Sequence, residues 1–389
     1  MKVKLIDVDN RLSIKYDQIN GIHNWGDDNC YPQLISSLAS RSVTAKQCIK
    51  INASNIYGKG FNFTQNVKDK SNLIVNKKEL NINQLLDVCS KEFAKQNNVF
   101  LHLNYNALFQ IISVDLIISE RVRIGEADST GYSGKFVVYD NWDKKKNKKI
   151  DKKDFVLIDR FNPKPEIIEK QVESAGGWNK YKGQILHLST DYNEIYSSSD
   201  LDAAIIPSYN EHGIDKFLYN GIENGFIGVK FIHTKPFDDE DEAREFEDCI
   251  KKGMGGENAA TVFLIESKLN SDILKDEIYV QNIDSNIDDA RYIHTERSAA
   301  EKIRKSFDIH SILIDDSDNS IFGQSGALLK EAKITQWEKK ESIRNKISDA
   351  FQLIFSKFHL PINPSNDWTI TPIIKIEKTA SNESNINTI

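Results

Sequence analysis

The feature that most constrains this chain is a long helical pattern toward its C-terminal end. From Gly326 to Phe358 apolar side chains recur with the period of an α-helix and fall on one stripe. The stripe consists of Ile343, Ile347, Phe351, Ile354 and Phe358. The pattern predicts a single helix of up to ~33 residues and ~50 Å. A helix of this length suits a subunit of an assembly better than a small globule.

Upstream, helical and strand patterns both occur, so we predict an α+β fold. Apolar residues at helical spacing mark residues 32–57, 81–97 and 201–224. Residues 99–140 instead alternate apolar and polar side chains in short runs, which is typical of antiparallel strands. Further strands are predicted at 184–188, 227–233 and 368–376.

In residues 238–308 two predicted helices flank two short predicted strands. Carboxylates at 238–242 favour the start of a helix, because they complement the positive end of its dipole. Glycines at 253–256 would end that helix, and two short strands are predicted around 261–266 and 277–281. Ser285 with Asp288 resembles a capping box that would start a second helix.

The charge of the chain limits its contacts with nucleic acid. The formal net charge is −6, so the average surface cannot bind DNA by neutralising phosphates. Residues 143–153 contain seven lysines, but no aromatic side chain interleaves with them after Trp142. We therefore favour a solvated loop tip over a nucleic-acid patch.

Sequence signals of other classes of protein were not found. The four cysteines are far apart and form no C-x-x-C pair, which predicts neither a zinc site nor a disulfide framework. The start has no apolar signal region, and no uncharged apolar run approaches the ~18 residues of a membrane span. A reducing cytoplasm fits these features best.

No motif of enzymatic chemistry occurs in the sequence. It contains no phosphate-binding loop, no H-E-x-x-H zinc motif and no G-x-S-x-G elbow. The acidic run at 315–318 fails as an EF-hand, because Ile321 and Ala327 stand where glycine and glutamate are needed. The eight histidines are scattered and form no evident metal cluster. We expect no enzyme, no metal and no cofactor.

The order of the predicted elements resembles that of the portal proteins of tailed bacteriophages. Residues 220–229, NGIENGFIGV, resemble the helix end and following strand of that family, and residues 255–264 and 303–313 resemble later segments. Residues 24–29 and 58–61 resemble the N-terminal region of portals. The resemblance spans about residues 24–376, and it rests on the collinearity of loose patterns rather than on one signature.

The resemblance implies a ring-forming portal fold with an α/β wing, a helical stem, a small β-containing clip and a long channel-side helix. The implied parts are a wing at 1–236 with 359–376 returning to it, stem helices at 238–254 and 285–308, a clip at 255–284, a channel loop at 309–326, the long helix at 327–358 and a disordered tail at 377–389. The helical crown of many portals would be absent or vestigial.

The resemblance also implies two sets of site residues. The loop facing DNA in the channel would comprise Asp315, Asp316, Ser317, Asp318, Ser320, Gly323, Gln324, Ser325 and Gly326. The part of the clip that faces the terminase would include Gly255, Gly256, Asn258, Glu266 and Lys268. An acidic, glycine-containing loop fits a conduit through which DNA must slide, because many lysine–phosphate contacts would hold the duplex in place.

As partners, the resemblance implies other copies of the chain in a ring of about twelve, with about thirteen possible for isolated rings. Double-stranded DNA would pass through the ring during packaging and ejection. The terminase large subunit, a head–tail connector or adaptor, and the major capsid or scaffolding protein would dock on it, and no membrane is involved. The protein would reside at the portal vertex of the virion and, during assembly, in the host cytoplasm.

Two other classes of protein stay open at this point. A head–tail adaptor or minor capsid protein would also be a structural component of a phage, but it would lack the order of clip and channel loop. A metal-dependent nuclease is a more distant alternative, since Asp7, Asp9 or the Asp315 cluster would need partners that the sequence does not identify.

Overall fold

The computed structural model divides the chain into two compact units. The first consists of Met1–Ser208 with Glu301–Ile389, and the second, Tyr209–Ala300, is inserted into it. The described residues are 12–61, 74–129, 132–142, 149–151, 153–191, 194–223, 230–234, 239, 241, 243–246, 248, 262–266, 278–282, 289–314, 325–363 and 365–374. The fold is mixed α+β, as predicted.

The first unit is built on a six-stranded mixed sheet. Its strands lie in the order β4-β3-β8-β7-β6-β5, and β7 and β8 pair in parallel while their neighbours pair antiparallel. The strands are β3 Asn98–Tyr105, β4 Ile111–Ile117, β5 Val122–Ile124, β6 Lys135–Val138, β7 Val156–Arg160 and β8 Gln184–Ser189, and a separate hairpin joins β1 Ile14–Asp17 to β2 Ile22–Trp25. The predicted β region and the strand at 184–188 are confirmed.

Helices cover this sheet and lead into and out of the inserted unit. They are α1 Tyr31–Arg41, α2 Val43–Tyr57, α3 Ile82–Gln96, α4 Pro165–Ala175, α5 Ile205–Glu223, α6 Asp289–Ser306, α7 Ser325–Lys339 and α8 Glu341–Phe355. Helix α3 lies within the predicted range 81–97. Asn81 and Gln84 form a reciprocal capping box at its start. Strand β7 and helix α4 were not predicted from the sequence.

Strand β3 separates two apolar cores. Its side chains alternate between the faces of the sheet, so Val99 and Leu101 enter one core while Phe100 enters the other. The first core also contains Phe93 of α3 and Phe351 of α8. A strand buried on both faces carries a nearly continuous apolar run, which explains the sequence VFLHL.

The edge strand β4 is covered by other segments of the chain. Ile111 N donates to Lys357 O and Ile111 O accepts from His359 N, both at 2.9 Å. Farther along, Val114 N donates to Val75 O, also at 2.9 Å. These bonds use backbone groups that would otherwise offer a pairing edge to another chain.

A buried arginine organises the turn before α1. Arg123 of β5 is fully buried, and its guanidinium donates to Asn29 Oδ1 at 2.5 Å, Asn29 O at 2.6 Å and Val122 O at 2.7 Å. Burial lowers the pKa of Arg123 to about 10, so the side chain stays charged at neutral pH. Asn29 adopts a left-handed conformation, with φ 60°, and its Oδ1 also accepts from Trp25 N. The turn that contains Asn29 therefore supplies acceptors to a buried cation.

Trp25 anchors the same turn in an apolar core. Its indole is fully buried, stacks on Tyr196 with 4.2 Å between ring centroids and meets the edge of Phe100. Gly26 follows with φ 89°, and an added Cβ would lie 2.8 Å from the Cβ of Tyr31. Only glycine fits where this turn passes over the start of α1.

The predicted helix at 32–57 is two helices. Ser42 has an extended conformation between α1 and α2, and its Oγ accepts from Ala45 N at 3.0 Å as the N-cap of α2. The prediction of one helix was wrong because apolar spacing continues through Ser42, whereas the side chain of serine competes for a backbone donor and starts a new helix.

The predicted long helix at 327–358 is also interrupted. Helix α7 ends at Lys339 and α8 begins at Glu341. At the break, Trp337 O accepts from Lys340 N at 3.2 Å and from Arg344 Nη1 at 2.7 Å, so it does not require the next helical donor. Ile347, Phe351 and Ile354 of the predicted stripe are buried in α8, but the prediction of one helix was wrong, and Phe358 lies beyond the end of α8.

The second unit contains a three-stranded sheet. Strand β9 Lys230–Thr234 lies in the centre, parallel to β10 Val262–Glu266 and antiparallel to β11 Ile278–Asn282. Strand β9 and part of α5 lie in the second unit, which begins at Tyr209, whereas the predicted wing runs to residue 236. The assignment of wing, stem and clip stays a prediction. Of the predicted helix at 238–254, residues 241, 243–246 and 248 are described and helical.

The C-terminal part returns to the first unit without a regular strand. Ile370 forms an isolated bridge with Phe61, and Thr371 N donates to Gly60 O at 2.9 Å. An added Cβ at Gly58 would lie 2.3 Å from Thr371 O, so this return requires glycine there. The predicted strand at 368–376 is thus reduced to one bridge, and the predicted tail at 377–389 lies outside the described residues.

We predict that replacing Arg123 by methionine lowers the free energy of unfolding by about 3–5 kcal/mol, because it leaves buried carbonyl oxygens without donors. Arg121→Met is the matched control, since Arg121 is half exposed and pairs with Asp140 at the surface. The control should change stability by less than about 1 kcal/mol. Denaturant unfolding of both variants measures the difference, and equal losses would contradict the role of Arg123.

Candidate functional site

The candidate site is the acidic segment between α6 and α7. It leaves the described residues after Ile314 and re-enters them at Ser325. Seven predicted channel residues lie outside the described residues, namely Asp315, Asp316, Ser317, Asp318, Ser320, Gly323 and Gln324.

At both ends of the predicted loop, 309–326, residues belong to a turn or a helix. Ser325 and Gly326 are the first residues of α7, because Ala327, Leu328 and Leu329 after them favour a helix. At the other end, Ile309 is buried and Ser311–Leu313 form a 3-10 turn. The channel loop itself and its proposed contact with DNA stay predictions.

A C-terminal helix cap holds the first end. Asp308 has a left-handed φ of 52°, its N–H donates to Lys305 O and Ile309 N donates to Arg304 O, each at 3.1 Å. This is the bonding pattern of a Schellman motif with aspartate at the position usually held by glycine. The cap turns Ile309 into the apolar core that also contains Phe307. The chain before the acidic segment is thus fixed by packing.

Polar contacts hold the second end, through α7. Gln336 is buried and its Nε2 donates to Asn52 Oδ1 of α2 at 2.8 Å. The guanidinium of Arg344 lies 3.5 Å from the centroid of the Trp337 ring, and its Nη1 also donates to Asn55 O at 3.0 Å. Burial lowers the pKa of Arg344 to about 10, so the cation persists at neutral pH. Arg344 therefore joins α2, α7 and α8 at one point.

An ion pair links the cap of α6 to the C-terminal end of α7. Lys339 Nζ, at the end of α7, lies 2.8 Å from Asp308 Oδ1 and donates to Asp308 O at 3.2 Å. Lys340 Nζ lies 3.6 Å from Asp200 Oδ2. The pair of Lys339 with Asp308 is exposed, so it adds little to the free energy of unfolding.

A cleft opens beside these ends. Leu313 and Ile314 form one wall, Trp337 and Ile51 contribute apolar surface, and the volume is about 380 Å³. Lys50 and Lys333 are its charged residues, and the other lining residues are Gln47, Ser54, Asn55, Gln336, Ile373 and Ile374. The acidic segment therefore begins at the wall of an apolar cleft that carries positive charge.

The predicted clip residues are only partly described. Glu266 is the last residue of β10, opposite Thr234 of β9. Gly255, Gly256, Asn258 and Lys268 lie outside the described residues. Among the described residues Glu266 is thus the one member of this set, and the role of the set stays a prediction.

Within the described ranges, no group of three or more His, Cys, Asp or Glu side chains is placed to bind a metal ion. Every helix in the same ranges is too short or too polar to cross a bilayer.

Solved structures resemble the chain over most of its length at low identity. The neck of a native gene transfer agent particle, computed with C12 symmetry, has 11% identity and a TM-score of 0.49, with 85% of this chain and 82% of that chain covered. The virion of the native particle has 13% identity and a TM-score of 0.45, covering 84% and 81%. An HK97-family phage portal protein from Corynebacterium diphtheriae has 7% identity and a TM-score of 0.38, covering 76% and 82%.

At these identities the likeness concerns the fold alone. No protein-family model matches the chain, and no curated protein sequence matches it.

We predict that Arg344→Met lowers the free energy of unfolding by about 2–4 kcal/mol, because Trp337 O and Asn55 O lose a charged donor. Arg344→Lys should recover only part of the loss, since an ammonium group cannot reproduce the planar fork. Lys330→Met, at an exposed position of α7, is the control and should be near neutral. Chemical denaturation of the three variants measures this order, and a neutral Arg344→Met would contradict it.

Proposed function

We propose that this chain is the subunit of a portal ring in a phage-type particle. About twelve copies would surround a channel that conducts double-stranded DNA during packaging and ejection. The ring would be a structural component of the virion at one capsid vertex, assembled in the host cytoplasm. It would carry out no catalytic step and need no cofactor or metal.

The observation that carries this proposal is the insertion of one compact unit into another. The chain leaves the first unit in α5, forms the second unit and returns in α6. Ile205 near the start of α5 and Ile303 near the end of α6 belong to the same apolar core, so both connections are rooted at one place. The acidic segment and α7 follow at once. This order supports a wing, a stem and clip, a channel loop and a channel-side helix.

Charge supports the role of the acidic segment. Residues 309–326 contain three aspartates, at positions 315, 316 and 318, and no lysine or arginine. A segment without cations forms no ion pairs with phosphates, so it would let a duplex slide. The anchored ends, at Ile309 and at Gln336, would keep the segment in place while DNA moves past it.

The proposed docking surfaces follow from the same arrangement. The clip residues Gly255, Gly256, Asn258, Glu266 and Lys268 would face the terminase large subunit during packaging and a head–tail connector or adaptor afterwards. The wing would contact the major capsid or scaffolding protein. Residues 209–236, which the sequence assigned to the wing, would belong to the stem and clip, because the second unit begins at Tyr209.

We predict that the purified full-length chain forms rings with a central hole. Negative-stain images should show them, and native mass spectrometry should give a mass of about twelve subunits. A monodisperse monomer or dimer under all conditions would contradict the proposal. In a reconstruction of the ring, residues 315–324 should line the hole. If they lay on the outer surface, an adaptor or minor capsid protein would be the better assignment.

We further predict that deleting residues 315–324 leaves ring assembly intact but impairs packaging or retention of DNA. Both flanks are held by their own contacts with the first unit, so the fold should survive the deletion. The measurements are ring images and the amount of protected DNA per particle, with deletion of residues 380–389 as a control of equal length. Loss of folding would show that the segment is part of the core, and normal DNA content would contradict its role in the channel.

A further inference from the structure

The apolar cleft of the first unit follows one face of helix α2. Gln47, Ile51 and Asn55 line it at intervals of four residues, and Lys50 and Ser54 line it beside them. At ~1.5 Å per residue, the helix rises ~12 Å between the first and the last of these residues. The cleft therefore extends over about two turns of the helix. We call it the α2 cleft.

The C-terminal return of the chain reaches this cleft from the C-terminal end of α2. Lys59 N donates to Thr371 O and Thr371 N donates to Gly60 O, each at 2.9 Å. These two bonds fix the return just beyond the last turn of α2. Directly afterwards, Ile373 and Ile374 line the α2 cleft. The residues that follow in the chain therefore start at the wall of the cleft.

The lining of the α2 cleft combines apolar surface with positive charge. Ile51, Leu313 and Trp337 supply apolar side chains. The described residues of the lining also include two exposed cations, Lys50 and Lys333, and no carboxylate. An exposed lysine keeps its ammonium group in water, where a carboxylate at the rim of the cleft would reach it. The lining thus fits an occupant with an apolar side chain inside and a carboxylate at the rim.

The next four residues of the chain have this combination of side chains. They are Lys375, Ile376, Glu377 and Lys378. In an extended chain, side chains alternate between two sides, so Ile376 would follow Ile374 on one side while Glu377 would lie on the other. Four extended residues span ~13 Å at ~3.3 Å each, which matches the length of α2 that lines the cleft. Both the length and the chemistry of the segment therefore fit the cleft.

We propose that residues 375–378 occupy the α2 cleft of their own chain, with Ile376 between its apolar walls and Glu377 beside its lysines. The inference goes beyond the proposed portal ring and does not depend on it, because the cleft and the segment both belong to the first unit. The segment would act as a strap that joins the end of the chain to α2 and α7. Since α7 carries the second end of the acidic segment, the strap would help to hold that end.

Photo-crosslinking tests the strap on the full-length chain. A benzophenone amino acid replaces Ile376 in one variant and Ile386 in the other. Ile386 is the matched control, because it is an isoleucine ten residues farther along the chain. Irradiation should join position 376 to a peptide of residues 47–55 or 333–337 of the same chain, and the control should give several-fold less of this product. Peptide mapping by mass spectrometry identifies the joined residues.

Other occupants of the cleft would give different products. Links from position 376 to a second copy of the chain double the mass of the product, and they would overturn a strap within one chain. Equal yields at positions 376 and 386 would overturn it as well, because they indicate contact without a defined site. A third variant carries the benzophenone at Phe322, since Ile314 also lines the cleft. Capture of α2 from position 322 but not from position 376 would assign the cleft to the acidic segment instead.

Hydrogen exchange provides a second readout without a bulky probe. In Ile376→Asp, the amide hydrogens of residues 333–337 should exchange several-fold faster, because a carboxylate does not stay in an apolar cleft. Ile386→Asp is the control and should leave the exchange rates unchanged. Glu377→Lys should act in the same direction with a smaller effect, whereas Glu383→Lys should have none. Unchanged exchange in Ile376→Asp would overturn the strap whether or not rings form, and a chain without rings but with faster exchange would overturn only the portal.

Discussion

The first unit depends on the burial of one cation. The guanidinium of Arg123 is satisfied by neutral amide oxygens of Asn29, Val122 and Ser119, with the ring of Trp142 5.0 Å away. A buried charge is costly unless its donors are used, so the turn before α1 must place Asn29 where Arg123 can reach it. That demand explains the left-handed Asn29 in the turn. It also ties a segment near the start of the chain to a strand 94 residues later.

Strand β3 is buried on both faces of the sheet, and its two cores anchor different parts of the chain. Phe100 belongs to the core that receives Ile205, Ile303 and Phe307, while Leu101 belongs to the core that receives Trp337 of α7 and Phe351 of α8. The two connections to the second unit and the helix after the acidic segment are therefore anchored on opposite faces of one sheet.

Local patterns in the sequence predicted the type and position of helices and strands better than the residues at which they begin and end. The α+β class, helix α3 and the strand at 184–188 follow from periodicity and capping, which are properties of neighbouring residues. The apolar pattern continues through the breaks at Ser42 and Lys340. A side-chain cap causes the first break, and the bond from Arg344 Nη1 to Trp337 O accompanies the second. The pairing of β9 with β10 and β11, and the bond between Asn52 and Gln336 across 284 residues, depend on distant parts of the chain.

The same distinction applies to the candidate site. Its composition, with aspartates, serines and glycines and no cation, was visible in the sequence, but its limits were not. Ile309 looks like a loop residue until the cap at Asp308 turns it into the core, and Ser325 looks like one until α7 starts there. A short segment between fixed ends has less conformational freedom to lose when it is held in one place. In the proposed ring, anchoring by Arg344 and by the cap of α6 would let the acidic segment stay in position without holding DNA.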